Sequence, residues 1–118
     1  MEKVLPPDYL SEEPCSIVAV ICALKDLTGK ETPLCLPNLK SDGYAALEDA
    51  NRFIRRNLSV KKRTDYKRGE RPLLKELTLE NPAIVCVYGH FLYVNKGSYW
   101  SFFNNESDEV VAVWELKK

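Results

Sequence analysis

The chain has 118 residues, 45% of them hydrophobic and 29% charged, and its 17 basic and 17 acidic side chains cancel to a net charge of zero. That length carries one domain with one core, and the composition excludes a disordered or fibrous chain. The longest apolar run, Ile17 to Leu24, is far shorter than the ~18–20 residues that cross a bilayer, so no membrane partner is expected.

The opening MEKVLPPDYL lacks the basic-then-apolar layout of a secretory signal, which predicts a cytoplasmic location. Pro6, Pro7 and Pro14 keep the chain extended or turning up to Pro14. A first helix is predicted from Cys15 to Leu27, with Pro14 tolerated at its start and Gly29 available as a left-handed cap. Its stretch from Ile17 to Leu24 has no wet face, so the helix is expected at the centre, covered on nearly all sides. Pro33, Pro37 and Gly43 mark residues 31–43 as a loop. Ser41 or Asp42 can cap a second helix, Tyr44 to Asn57, whose Leu47, Ala50, Phe53 and Ile54 share one side.

Leu58 to Lys67 reads as a polar edge strand, its basic residues discouraging pairing with other chains. Gly69 and Pro72 end it, and Pro72 to Leu79 is expected to form a short helix. Ala83 to Tyr88 is continuously apolar, as a strand buried on both faces would be. His90–Asn95 and Ser98–Phe103 form a predicted hairpin around Lys96-Gly97. A polar loop, Asn104–Asp108, leads to a last strand, Glu109–Leu116. Helices followed by an antiparallel meander make an α+β fold: a buried N-terminal helix and a second helix packed on a C-terminal antiparallel sheet, in a single domain, 1–118.

Four cysteines (Cys15, Cys22, Cys35 and Cys86) form no C-x-x-C pair, and His90 is the one histidine. That pattern argues against structural zinc and implies no cofactor. Cys15 and Cys22 lie ~10 Å apart along a helix, too far to bridge, and free thiols are expected. Charge is uneven. Between Arg52 and Arg71 there are nine basic residues and two acids (Asp65 and Glu70), a local excess of seven positive charges. A solvated edge accounts for this strip, and an acidic partner or nucleic acid is the functional alternative.

A helix N-terminus stabilises negative charge, and reactive thiols cluster there. Of the four cysteines only Cys15 holds that position; Cys22 falls mid-helix, Cys35 in a loop and Cys86 mid-strand. A nucleophilic thiol also needs a base. His90, opening a strand after Gly89, is the available imidazole. If Lys96-Gly97 is the turn, Asn95 pairs with Ser98 and His90 faces Phe103. One register step brings Asn104 opposite His90, with Ser101 and Asn105 as diagonal neighbours. A carboxamide at 104 or 105 is therefore within reach of the ring, and the spacing leaves open which.

PCSIVAVICALKDLTGK and YGHFLYVNKGSYWSFFNN together cover about a third of the chain. A cysteine opening a buried helix, a Gly-His opening a later strand, and a following Asn resemble the papain-like cysteine peptidases. The nearest likeness is to their small members, the double-glycine leader peptidase domains of bacteria and compact phage-encoded relatives. The resemblance implies acyl transfer: Cys15 attacks an amide or thioester carbonyl, His90 moves the proton and Asn104 orients the imidazole. It also implies an oxyanion donor on the Cys15 amide. A second donor, usually a glutamine about six residues before the cysteine, falls here on Tyr9. Phe102-Phe103 stands where an acid is more usual near that strand's end.

The leading expectation is a small cysteine hydrolase acting on a peptide or protein substrate. The tyrosine at position 9 motivates an alternative, a catalytically inactive papain-like module that binds or inhibits a protein partner. The strip 52–71 motivates another, contact with nucleic acid, although only Phe53 and Tyr66 could stack on bases. Cys22, Trp100, Phe102, Phe103 and Trp114 are expected in the core, with Trp100 or Tyr99 as possible groove walls.

Overall fold

The computed structural model describes residues 1–30 and 43–117. The proposed caps Ser41 and Asp42, the loop 31–42 and Cys35 lie outside them. Two helices, α1 (Cys15–Thr28) and α2 (Gly43–Asn57), pack on one face of a six-stranded sheet. The strands are β1 (Glu2–Val4), β2 (Val60–Asp65), β3 (Ala83–Val87), β4 (His90–Asn95), β5 (Ser98–Trp100) and β6 (Val110–Leu116). Their spatial order is β1-β5-β4-β3-β6-β2. The fold is α+β.

Why α1 starts and stops where it does is local. Pro14 sits outside the helix and its carbonyl receives the amides of Ile17 and Val18. Gly29 ends the helix at φ 73°, returning its N–H to the Lys25 carbonyl, a conformation that a Cβ would strain. Val18, Ala19, Val20, Cys22 and Ala23 are buried against β3 and β4, whereas Ile17, Ile21 and Leu24 are half-buried, so the helix is less completely covered than its composition predicts. α2 follows its amphipathic pattern, with Ala50, Phe53 and Ile54 inside and Arg52, Arg55 and Arg56 outside.

The sheet is covered on both faces. Ile84, Cys86, Tyr93, Ala112, Trp114 and Leu116 meet the helices. Val85, Val87, Leu92, Val94, Tyr99 and Val113 form a second cluster, closed by Leu74 and flanked by Tyr66, Leu77 and Leu79. β3 lies between them with every residue buried, as its unbroken apolar run predicts.

Tertiary pairing departs from the expected pattern in four places. β3, β4 and β5 form the predicted meander, but β6 returns to the far side of β3 and pairs there, with β2 beyond it. The outer edge of β5 is occupied by β1, a parallel strand that the polar Glu2-Lys3 gave no reason to expect. Backbone bonds tie β1 at both ends: the Glu2 amide donates to the Gly97 carbonyl and the Ser101 amide to the Val4 carbonyl. The sheet is consequently mixed rather than wholly antiparallel. Pro72–Leu79 is no α-helix; it holds one 3-10 turn, Leu74–Glu76. The amides of Leu74 and Lys75 donate to the carbonyls of Asp108 and Glu106, which anchors the turn to the following loop, and Leu77 is extended and ends it. Finally, β5 ends at Trp100, short of the predicted Phe103, because the Ser101 hydroxyl accepts the Phe103 amide and turns the chain.

Candidate functional site

The early end of β5 creates the site. Asn95 pairs with Ser98 across the Lys96-Gly97 turn, and Tyr93 with Trp100 at the next position of the same kind. Alternate N–H groups of β4 therefore point toward β5, and the next in that series belongs to Phe91. Had β5 continued, this amide would meet the carbonyl of Phe102. Instead it donates to Cys15 Sγ at 3.3 Å. The half-buried thiol thus takes a vacant place at the split edge of the sheet.

Cys15 is also the first residue of α1, so its own amide has no intrahelical acceptor. Two sources of positive potential, the helix start and the Phe91 N–H, converge on the sulfur region. Gly89, at φ 75°, completes the Tyr88-Gly89 turn that delivers His90 to the start of β4, opposite Val87. Cys15 and His90 line one cleft of about 260 Å³, with Ser11, Glu13, Trp100, Ser101 and the rings of Phe102 and Phe103 around them. The hydrogen bond that the Cys15 sulfur receives comes from the amide next to His90 rather than from the ring.

His90 is held by a chain of side chains whose direction can be worked out. Asn105 Nδ2 donates to Asp108 Oδ2 at 2.7 Å, which leaves Asn105 Oδ1 as an acceptor. The Ser101 hydroxyl gives its one proton to that oxygen at 2.5 Å. Ser101 Oγ must then accept from His90 Nε2, which lies 3.2 Å away. The neutral ring is therefore protonated on Nε2, and Nδ1 carries the lone pair. Burial holds the imidazole below its ordinary value of 6.5, with the charge of Asp108 opposing. Phe103 stands edge-on to the ring, with centroids 5.5 Å apart and planes at 87°.

Asn104 is not brought to His90; it accepts a hydrogen bond from the Tyr99 hydroxyl at 3.2 Å. Asn105 is buried and reaches the imidazole through Ser101. The hairpin register does not extend to these positions, because β5 bends out of the ladder after Trp100. Tyr9, in the 3-10 turn Asp8–Leu10, is 62% exposed and is not among the described residues lining the cleft. Trp100 does line it, whereas Tyr99 is buried on the other face of the sheet. Phe103, expected in the core, is exposed, as is Tyr88. In the sequence Ser101 stands only as a diagonal neighbour of His90, and neither Asp108 nor the Phe91 amide carries a periodic signal. The Asn105–Asp108 spacing is a side-chain turn signal that could have drawn attention to Asp108.

The other two described cysteines are free and buried. Burial pushes the Cys22 thiol up to about 11 and the Cys86 thiol up to about 12. No group of three or more His, Cys, Asp or Glu side chains placed to hold a metal ion occurs among the described residues. No helix among them is long and apolar enough to cross a membrane.

Part of the basic strip is absorbed by the fold. Arg63 pairs with Glu48 at 3.0 Å and Asp65 at 2.8 Å and lies 5.2 Å over the Trp114 ring. Arg52 pairs with Asp49, and Arg71 donates to the Tyr66 carbonyl. Lys61, Lys62, Lys67 and Arg68 are exposed.

No family model, curated protein or solved structure matches this chain.

Proposed function

We propose that the chain is a small papain-like cysteine hydrolase acting on a peptide or amide bond. The observation that carries this reading is the shared cleft: Cys15 at the mouth of α1, beside a His90 whose accepting nitrogen is fixed as Nδ1 by Ser101, Asn105 and Asp108.

In this mechanism the Cys15 sulfur attacks the carbonyl carbon while His90 Nδ1 takes the thiol proton. The Cys15 amide donates to the oxyanion. Collapse of the tetrahedral intermediate expels the amine, which leaves with the proton from the imidazolium. Water, deprotonated by Nδ1, then attacks the thioester and releases the acid and the free thiol. Ser101 occupies the orienting role for which Asn104 was a candidate, and it does so as a positioning residue.

Iodoacetamide labelling of the full chain near neutral pH, with peptide mapping, tests the reading. Cys15 is expected to react about tenfold or more faster than an ordinary exposed thiol, and His90→Ala is expected to remove most of that excess. Labelling of Cys15 at the ordinary rate, unchanged by His90→Ala, would overturn it and favour a binding module with this fold.

A further inference from the structure

The distribution of charge around the cleft bears on what enters it. One wall comes from the segment leading into α1 and supplies Ser11, Glu13 and Cys15; the other comes from the chain beyond β5, Trp100 to Phe103. From Leu5 to Leu24 the sequence holds Asp8, Glu12 and Glu13 and no basic residue. From Gly97 to Trp114 it holds Glu106, Asp108 and Glu109, again with no basic residue. Glu106 is engaged by the N-terminal ammonium at 3.5 Å, and Asp108 accepts from Asn105. Asp8, Glu12, Glu13 and Glu109 are exposed. The positive excess of the chain lies in the stretch Arg52 to Arg71, whose last member, Arg71, comes near enough to act on the Cys86 thiol.

Among the described residues lining the cleft, Glu13 is the one full charge, and Phe91, Trp100, Phe102 and Phe103 supply ring surface. A carboxylate at the rim of an aromatic-walled cleft attracts a cation, through charge and through the ring faces. The space, about 260 Å³, lies below the ~300–1,000 Å³ of drug-sized sites, so it suits one side chain rather than a longer segment.

We infer that the cleft selects a substrate carrying a Lys or Arg side chain beside the scissile amide, with Glu13 as the specificity-determining residue. This rests on the hydrolase reading above, but it can fail separately.

The test uses two thiol reagents of the same chemistry and opposite charge, a trimethylammonium-ethyl and a sulfonato-ethyl methanethiosulfonate, at low salt on the full chain. Modification of Cys15 is followed by mass spectrometry with peptide mapping, and each rate is divided by that for a small free thiol. The cationic reagent is expected to be favoured about tenfold, falling to about threefold or less in Glu13→Gln and in high salt, with Glu80→Gln as an unaffected control. A ratio within about twofold of the small-thiol reference, or one that Glu13→Gln leaves unchanged, would overturn the inference. Fast but charge-blind labelling sinks this selectivity and spares the nucleophile. Charge-selective labelling at an ordinary rate sinks the nucleophile and leaves a cation-binding cleft. No labelling by either reagent removes both. Arginyl against glutamyl fluorogenic amides then give the same preference, or its absence, as a ratio of kcat/KM.

Discussion

The N–H of Phe91 donates to the sulfur of Cys15 across 3.3 Å, joining β4 to the first turn of α1. Those two residues are 76 positions apart in sequence. Their contact exists because β5 leaves the ladder at Trp100 and frees the amide for another acceptor. The same departure brings Ser101 under His90 and leads the chain on to Asn105 and Asp108.

Ser101 and Asn104 make opposite predictions. Ser101→Ala removes the acceptor that holds Nε2–H and frees the ring to change tautomer. Cys15 alkylation and any amidase activity are expected to fall about tenfold or more, with an altered pH profile, and Ser101→Thr is expected to restore part of the loss. Asn104→Ala, which affects only the Tyr99 hydroxyl, is expected to stay within about twofold of the parent. Equal losses for the two variants would mean that the relay has no positioning role.

His90 makes stability depend on acid. Its folded value lies below the ordinary 6.5, so the unfolded chain binds the proton more readily. The contribution is complete above 6.5 and is lost as pH falls through the folded value. Urea midpoints measured at about pH 7.5 and about pH 5.5 should therefore drop less in His90→Gln than in the parent. Parallel drops in the two proteins would show that this imidazole is not desolvated.

Cys22 and Cys86 titrate in the other direction. With their folded values pushed up to about 11 and about 12, the unfolded chain loses these protons first. Stability should fall as pH rises above 9.0, and less so in Cys22→Ala/Cys86→Ala than in the parent once their neutral-pH stabilities are subtracted. Both thiols should resist a disulfide reagent near neutral pH in the folded protein and react at once in denaturant. Rapid native reaction at either would contradict their burial.

Leu74 closes the second face of the sheet from a single 3-10 turn and has no exposed surface. Leu74→Ala is expected to cost about 2–5 kcal/mol in equilibrium urea unfolding, the range for a buried leucine whose site cannot collapse. A loss under about 1 kcal/mol would place this residue outside the core.

Tyr93 ties the far end of α1 to β4. Its hydroxyl donates to Asp26 at 2.6 Å, and Asn95 donates to the same oxygen at 2.9 Å. Burial, reinforced by the Asp26 carboxylate, raises the phenol well above its ordinary value. Tyr93→Phe should lower stability by about 1 kcal/mol, reduced from the larger figure for charged partners because Asp26 is exposed. No change in midpoint would mean that water replaces the bond without loss.

What the sequence determined by itself was periodic or punctuated. α1 began after Pro14 and stopped at Gly29, α2 showed its apolar stripe, β3 its unbroken burial, and Lys96-Gly97 set the register of Asn95 against Ser98. These signals are local, because capping, amphipathicity and turn geometry act over a few residues. They also singled out Cys15 and His90 as the residue types suited to nucleophile and base. What only the tertiary structure decided was non-local. Glu2–Val4 becomes a strand by pairing with the outer edge of β5, and β6 pairs with β3 instead of extending the meander beyond β5. Leu74–Glu76 stops after one turn because Leu77 is extended, and the loop at 106–108 anchors that turn by accepting the amides of Leu74 and Lys75. Ser101 replaces Asn104 beside His90 because β5 bends out of the ladder at Trp100, and hydrogen bonds to distant carbonyls and side chains leave no periodic trace in the residues that make them.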